Sequence, residues 1–165
     1  RERSKAPVKT WTNVWMTDTH LNFAFDCEEP EMDRVISSKF DFADLKAAND
    51  NMVGVVFCPS GRLSYLCQVY LTSAGSISAA YWTREGKKWV PMVWTPQISS
   101  SVELTSSGWH GEFSIPLSAL PPIPGELSMN FVRTRAIKSR TTRILWGDYP
   151  DYYTDHTKFG KIVFE

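Results

Sequence analysis

The chain has 165 residues, enough for one hydrophobic core, and reads as a single domain over residues 10–165 behind a linker or truncated segment at 1–9. Eighteen Lys and Arg balance eighteen Asp and Glu, so the formal net charge is zero and gives no electrostatic case for a nucleic acid or an anionic membrane. No apolar run reaches the ~20 residues of a membrane helix, and no spacing of Cys27, Cys58 and Cys67 with each other or with His suits zinc.

The opening Arg1-Glu2-Arg3-Ser4-Lys5 reads as the middle of something longer, and these residues do not read as a signal peptide. From there the dominant apolar period is two, the signature of half-buried strands. Trp11, Asn13 and Trp15 share one face of a first strand, and that Trp face is expected to be core. Thr17-Asp18-Thr19 turns the chain into Leu21, Phe23, Phe25 and Cys27, completing a hairpin. Glu28 to Asp33 is an acidic loop, and Asp41 to Asp50 suits one short helix.

Val53, Val55 and Phe57 make a strand that ends at Pro59-Ser60-Gly61. Leu63 to Leu71 alternates cleanly, and Ser73-Ala74-Gly75 turns into Ile77, Ala79 and Tyr81. A turn at Glu85 to Lys88 leads into Trp89 to Trp94, and Val102 with Leu104 makes a short strand. Trp109, Gly111, Phe113 and Ile115 share an inward face, and Leu117 to Leu120 allows one helical turn at most. On the next strand Leu127, Met129 and Phe131 point inward, and Arg133 and Arg135 continue on that side. Ile162 to Phe164 closes the domain. Many short strands with almost no helix predict an all-β antiparallel sandwich, jelly-roll or immunoglobulin-like.

The segments Trp109-x-Gly-Glu-Phe-Ser-Ile-Pro-Leu, Asn130-Phe-x-Arg, Trp146, Pro150, His156 and Phe159-Gly-x-Ile-x-Phe, with Leu21-Asn-Phe-Ala-Phe-Asp-Cys-Glu-Glu-Pro before them, resemble family 9 carbohydrate-binding modules. These are DOMON-like sandwiches of secreted bacterial proteins. The resemblance spans roughly residues 10–165 and lacks that family's usual leading segment with Asp-Gly and Trp. It implies a non-catalytic, extracellular or surface-located monomer tethered to other domains, binding a polysaccharide or oligosaccharide and often carrying structural calcium.

A sugar offers apolar ring faces and hydroxyls, so a site needs aromatic platforms beside planar polar groups. Trp146, Tyr149, Tyr152 and Tyr153 crowd one Gly/Pro/Asp-rich loop. Trp82, Trp89 and Trp94 flank the turn at Gly86, and the last two fall on opposite faces. Arg133 and Arg135 break the rule against charge in a core: either they line a cleft or their strand has emerged into solvent. Gln68 and Asn130 are weaker candidates. Asp148, Asp151 and Asp155 are the carboxylates for calcium, with Asp41, Asp44, Asn49 and Asp50 as a second cluster.

Three other functions stay open. A ligand-free structural sandwich needs nothing more. A haem domain needs a Met–His or Met–Lys pair, and none is compelling. A glycosidase needs paired carboxylates, and Glu112 and Asp26 both fall on the outward phase of their strands. The cysteines read as buried thiols, or as one disulfide plus one free thiol.

Overall fold

The computed structural model describes residues 8–41, 49–59, 65–86, 88–92, 94–123, 125–138, 140–146 and 158–164. Among the described residues, eleven strands form two antiparallel sheets. They are β1 (Thr10–Met16), β2 (His20–Glu28), β3 (Met52–Cys58), β4 (Tyr65–Thr72), β5 (Ile77–Glu85), β6 (Lys88–Met92), β7 (Ser99–Thr105), β8 (Gly108–Pro116), β9 (Glu126–Ile137), β10 (Arg140–Leu145) and β11 (Gly160–Val163). The smaller sheet has the order β1-β2-β8-β7, and the larger β10-β9-β3-β4-β5-β6, with β11 also on β9. The all-β sandwich expected from the alternation is the observed fold.

Local chemistry sets the corners. Thr17 Oγ1 accepts the His20 N–H at 3.0 Å and Thr17 N donates to the His20 carbonyl at 2.9 Å, closing the β1–β2 hairpin. Gly75, at φ +82, takes a left-handed turn that a side chain would strain. The one helical turn allowed after β8 is a 3-10 turn at Leu117–Ala119, and another at Met32–Arg34 follows β2. Of the short helix expected over Asp41 to Asp50, residues 42–48 lie outside the described residues.

The core is the inward phase of both sheets. Phe23 stacks on Phe113 at 4.9 Å between centroids, Phe131 meets Phe23 and Phe25 edge-on, and Val53, Val55, Phe57, Val69 and Leu71 face them from the larger sheet. Trp109 and Phe131 are buried in it, as their phase predicts. Cys27, Cys58 and Cys67 are buried free thiols, which leaves the disulfide alternative unused. Burial pushes the Cys27 and Cys58 thiols up to about 11.

Two expectations fail. The Trp11 and Trp15 face is not core: Thr10, Thr12 and Val14 turn inward, and the two indoles are 54% and 42% exposed. β1 is an edge strand with the core on one side only, so alternation fixes two faces without saying which is inside. And the stretch after Arg135 holds another strand, β10, whose Arg-Thr-Thr-Arg carries no apolar alternation.

Candidate functional site

β9 is the longest strand, and two strands share its outer edge. β10 pairs with its C-terminal half, from Val132 to Ile137, and β11 with its N-terminal part, from Glu126 to Met129. Trp146 leaves β10 at the gap between them, where its N–H donates to the Phe131 carbonyl at 3.1 Å. Its ring meets Phe131 edge-on at 5.3 Å and lies over Gly160, where a Cβ would overlap the indole. The ring is therefore fixed on one side and still 54% exposed.

Opposite stands β1, the free edge of the smaller sheet. Between the two edges the sandwich opens into a cleft of about 690 Å³. Trp11 and Thr10 line one wall, Trp146 and Ile144 the other, with Phe25, Phe131 and Arg133 among the residues at its base. This is the size of a small-molecule site, largely apolar with a few polar groups.

Arg133 neither emerges into solvent nor makes a conventional pair. It is 2% exposed, its Cζ stands 5.5 Å from the Trp109 ring centroid, and none of its three nitrogens has a hydrogen-bond partner among the described residues. The nearest opposite charge is Glu29 at 3.6 Å. Arg135 does not line the cleft. Its Nε and Nη2 donate to Glu29 at 2.7 and 2.8 Å, and Nη2 donates to Glu31 at 2.8 Å. Those bonds hold the Arg135 guanidinium above its ordinary pKa, and the bonds from Arg135 and Arg34 hold Glu31 below its own. Glu29 follows directly on β2, where the smaller sheet ends and β9 runs on past it. The inward arginines sit at that end of the sandwich and meet the carboxylate there. Read as part of an acidic loop, Glu29 was missed; two inward arginines were the signal that a buried carboxylate had to exist.

The other expected residues fall elsewhere. Trp82 and Trp89 lie on the outer face of the larger sheet, half-buried against Val56, Cys58 and Leu66. Trp94 is on the inner side, packed near Tyr81, with its indole N–H on the Ala119 carbonyl at 3.2 Å. These three do not join Trp146 in the cleft. Gln68 and Asn130 are each 3% exposed on that same outer face, so neither faces water. Tyr149, Tyr152, Tyr153, His156 and the carboxylates Asp148, Asp151 and Asp155 lie outside the described residues, as does Asp44. Among the described residues no cluster of three metal-binding side chains occurs.

Asp26 and Glu112 do come together, on the outer face of the smaller sheet, with His110 between them. His110 Nδ1 is 2.8 Å from Asp26 and Nε2 is 3.0 Å from Glu112, and these bonds raise the imidazole above its ordinary pKa. The carboxylates are 56% and 49% exposed. A glycosidase acid needs apolar surroundings to stay protonated, and neither has them.

Three solved structures share this architecture. A Bacteroides uniformis protein assigned a carbohydrate-binding role matches with a TM-score of 0.73 at 14% identity, covering 96% of this chain and 79% of that one. Two structures of a family 9 carbohydrate-binding module from Caldicellulosiruptor kristjanssonii, one with glucose and one with cellotriose, match with TM-scores of 0.70 and 0.69. They are 12% and 14% identical, over 98% of this chain and 79% and 77% of theirs. The fold is that of family 9 carbohydrate-binding modules. No family model and no curated sequence matches the chain. The family 9 fold therefore rests on three-dimensional likeness, joined by the order of motifs from Trp109 to Phe164. It covers nearly the whole chain.

Proposed function

We propose that this chain is a non-catalytic carbohydrate-binding module that seats a saccharide in the cleft between β1 and β10. The observation that carries the reading is Trp146: an indole pinned by Phe131 and Gly160, half open to solvent, at the wall of a sugar-sized cleft whose other wall is the β1 edge. A ring already held in place loses little freedom when a ligand stacks on it. The fold likeness to modules solved with glucose and cellotriose supports the ligand class. The reading includes a place outside the cell or on its surface, tethered to other domains of a larger protein. It includes no turnover; Asp26 and Glu112, which share His110, are solvent-exposed and do not line the cleft.

Affinity electrophoresis across glucans, xylans, mannans and sulfated algal glycans tests it, with calorimetry on any glycan that retards the protein. The expected result is retardation by at least one class, and a loss of about 2 kcal/mol, roughly thirtyfold in Kd, in Trp146→Ala. A folded protein retarded by none of them would overturn the reading.

A further inference from the structure

The outer face of the smaller sheet is a second, differently built surface. Its registers set three rows across four strands: Trp11–Asp26–His110–Glu103, Asn13–Ala24–Glu112–Ser101, and Trp15–Asn22–Ser114–Ser99. Trp11 and Trp15 are four residues apart on one side of β1, which sets them ~13 Å apart along the strand. Beside them carboxylates outnumber cations. Asp26, Glu28, Glu103 and Glu112 face outward, against Lys9, His110 and His20. Lys9 already places its Nζ 5.8 Å from the Trp11 ring centroid, so the indole accepts a cation. Asp26 and Glu112 each keep a second oxygen that His110 does not occupy.

We propose that this face binds a polycationic amino-sugar polymer, a 2-amino-2-deoxyglycan with free amines, lying along β1 with sugar rings on Trp11 and Trp15 and its ammonium groups over the carboxylates. Two exposed indoles on one strand suit a stiff chain that repeats flat apolar faces, which a cationic peptide does not. The excess of carboxylates selects a charged amine over its acetylated, neutral form. Trp11 borders both surfaces, but Trp15, Asp26 and Glu112 do not line the cleft, so variants at those three positions separate the two.

Calorimetric titration at mildly acidic pH compares glucosamine oligosaccharides with their N-acetylated forms, cello-oligosaccharides and oligolysine. The proteins are the wild type, Trp15→Ala, the pair Asp26→Asn with Glu112→Gln, and Trp146→Ala. The proposal expects the free-amine glycan to bind about tenfold or more tighter than the other three, with affinity falling as salt rises. Trp15→Ala and the double carboxylate variant each lose about tenfold, whereas Trp146→Ala keeps the affinity. Equal binding of the acetylated glycan, oligolysine binding that ignores Trp15, or loss of the amino glycan in Trp146→Ala would each overturn it. A failure of the cleft shows instead as neutral glycans binding nowhere, or binding unaffected by Trp146→Ala.

Discussion

Glu29→Gln removes one carboxylate that two buried guanidiniums share. Glu29 has no exposed surface, Arg133 is 2% exposed and Arg135 6%. At an effective dielectric near 20, one charge 3.6 Å away is worth about 5 kcal/mol. Desolvation offsets much of that while the network is intact, yet removing one partner leaves the others buried without compensation, typically at a cost of about 3–5 kcal/mol. Glu31 remains for Arg135, but Arg133 has no second carboxylate within salt-bridge distance among the described residues and no hydrogen-bond partner. Glu29→Gln is therefore expected to cost about 3–5 kcal/mol, a fall in Tm of roughly 6–20 °C. Guanidinium unfolding followed by tryptophan fluorescence, with Tm from calorimetry, reads both. Adding Arg133→Met to Glu29→Gln should recover part of the loss, because the stranded charge is gone. A loss below about 1 kcal/mol in Glu29→Gln, or no recovery in the double variant, would refute the claim that Glu29 holds this end of the sandwich.

Other outcomes follow from single features. Gly108→Ala puts a Cβ into the Cys27 backbone carbonyl, which cannot step aside in a paired strand; denaturant unfolding should show a loss of about 1–3 kcal/mol. Because the folded His110 pKa lies above its unfolded value near 6.5, its contribution to stability is complete below that pH and fades as pH rises through the folded pKa. The Tm gap between wild type and His110→Asn should accordingly be widest in mild acid and close in alkali. Cys27, Cys58 and Cys67 are buried, so a thiol reagent should titrate none in the native protein and three after unfolding.

The fold was legible because period-two alternation and Gly/Pro punctuation pointed one way. The site was legible only in fragments. Trp146 and Arg133 were singled out and do line one cleft, but their partner wall, Trp11, was assigned to the core. Alternation gives the faces of a strand, and only tertiary position decides which face water sees; β1 lies at an edge, where an exposed Trp displaces no core packing. Arg135 looked like a ligand group because nothing within several residues could neutralise it. Its partners Glu29 and Glu31 are more than a hundred positions away, a separation no local pattern crosses. β10 escaped because its strand character comes from pairing with β9 rather than from an apolar stripe.

The central claim is that a saccharide sits against Trp146 in the cleft between β1 and β10. The most direct test is a two-dimensional NMR titration following the indole N–H signals of the seven tryptophans, assigned by single Trp→Phe substitutions, with a glycan that retards the protein. The account predicts that the Trp146 signal shifts and saturates with one Kd, while buried Trp109 stays in place. Shifts confined to Trp82 and Trp89, with Trp146 unmoved, would contradict it and move the site to the outer face of the larger sheet.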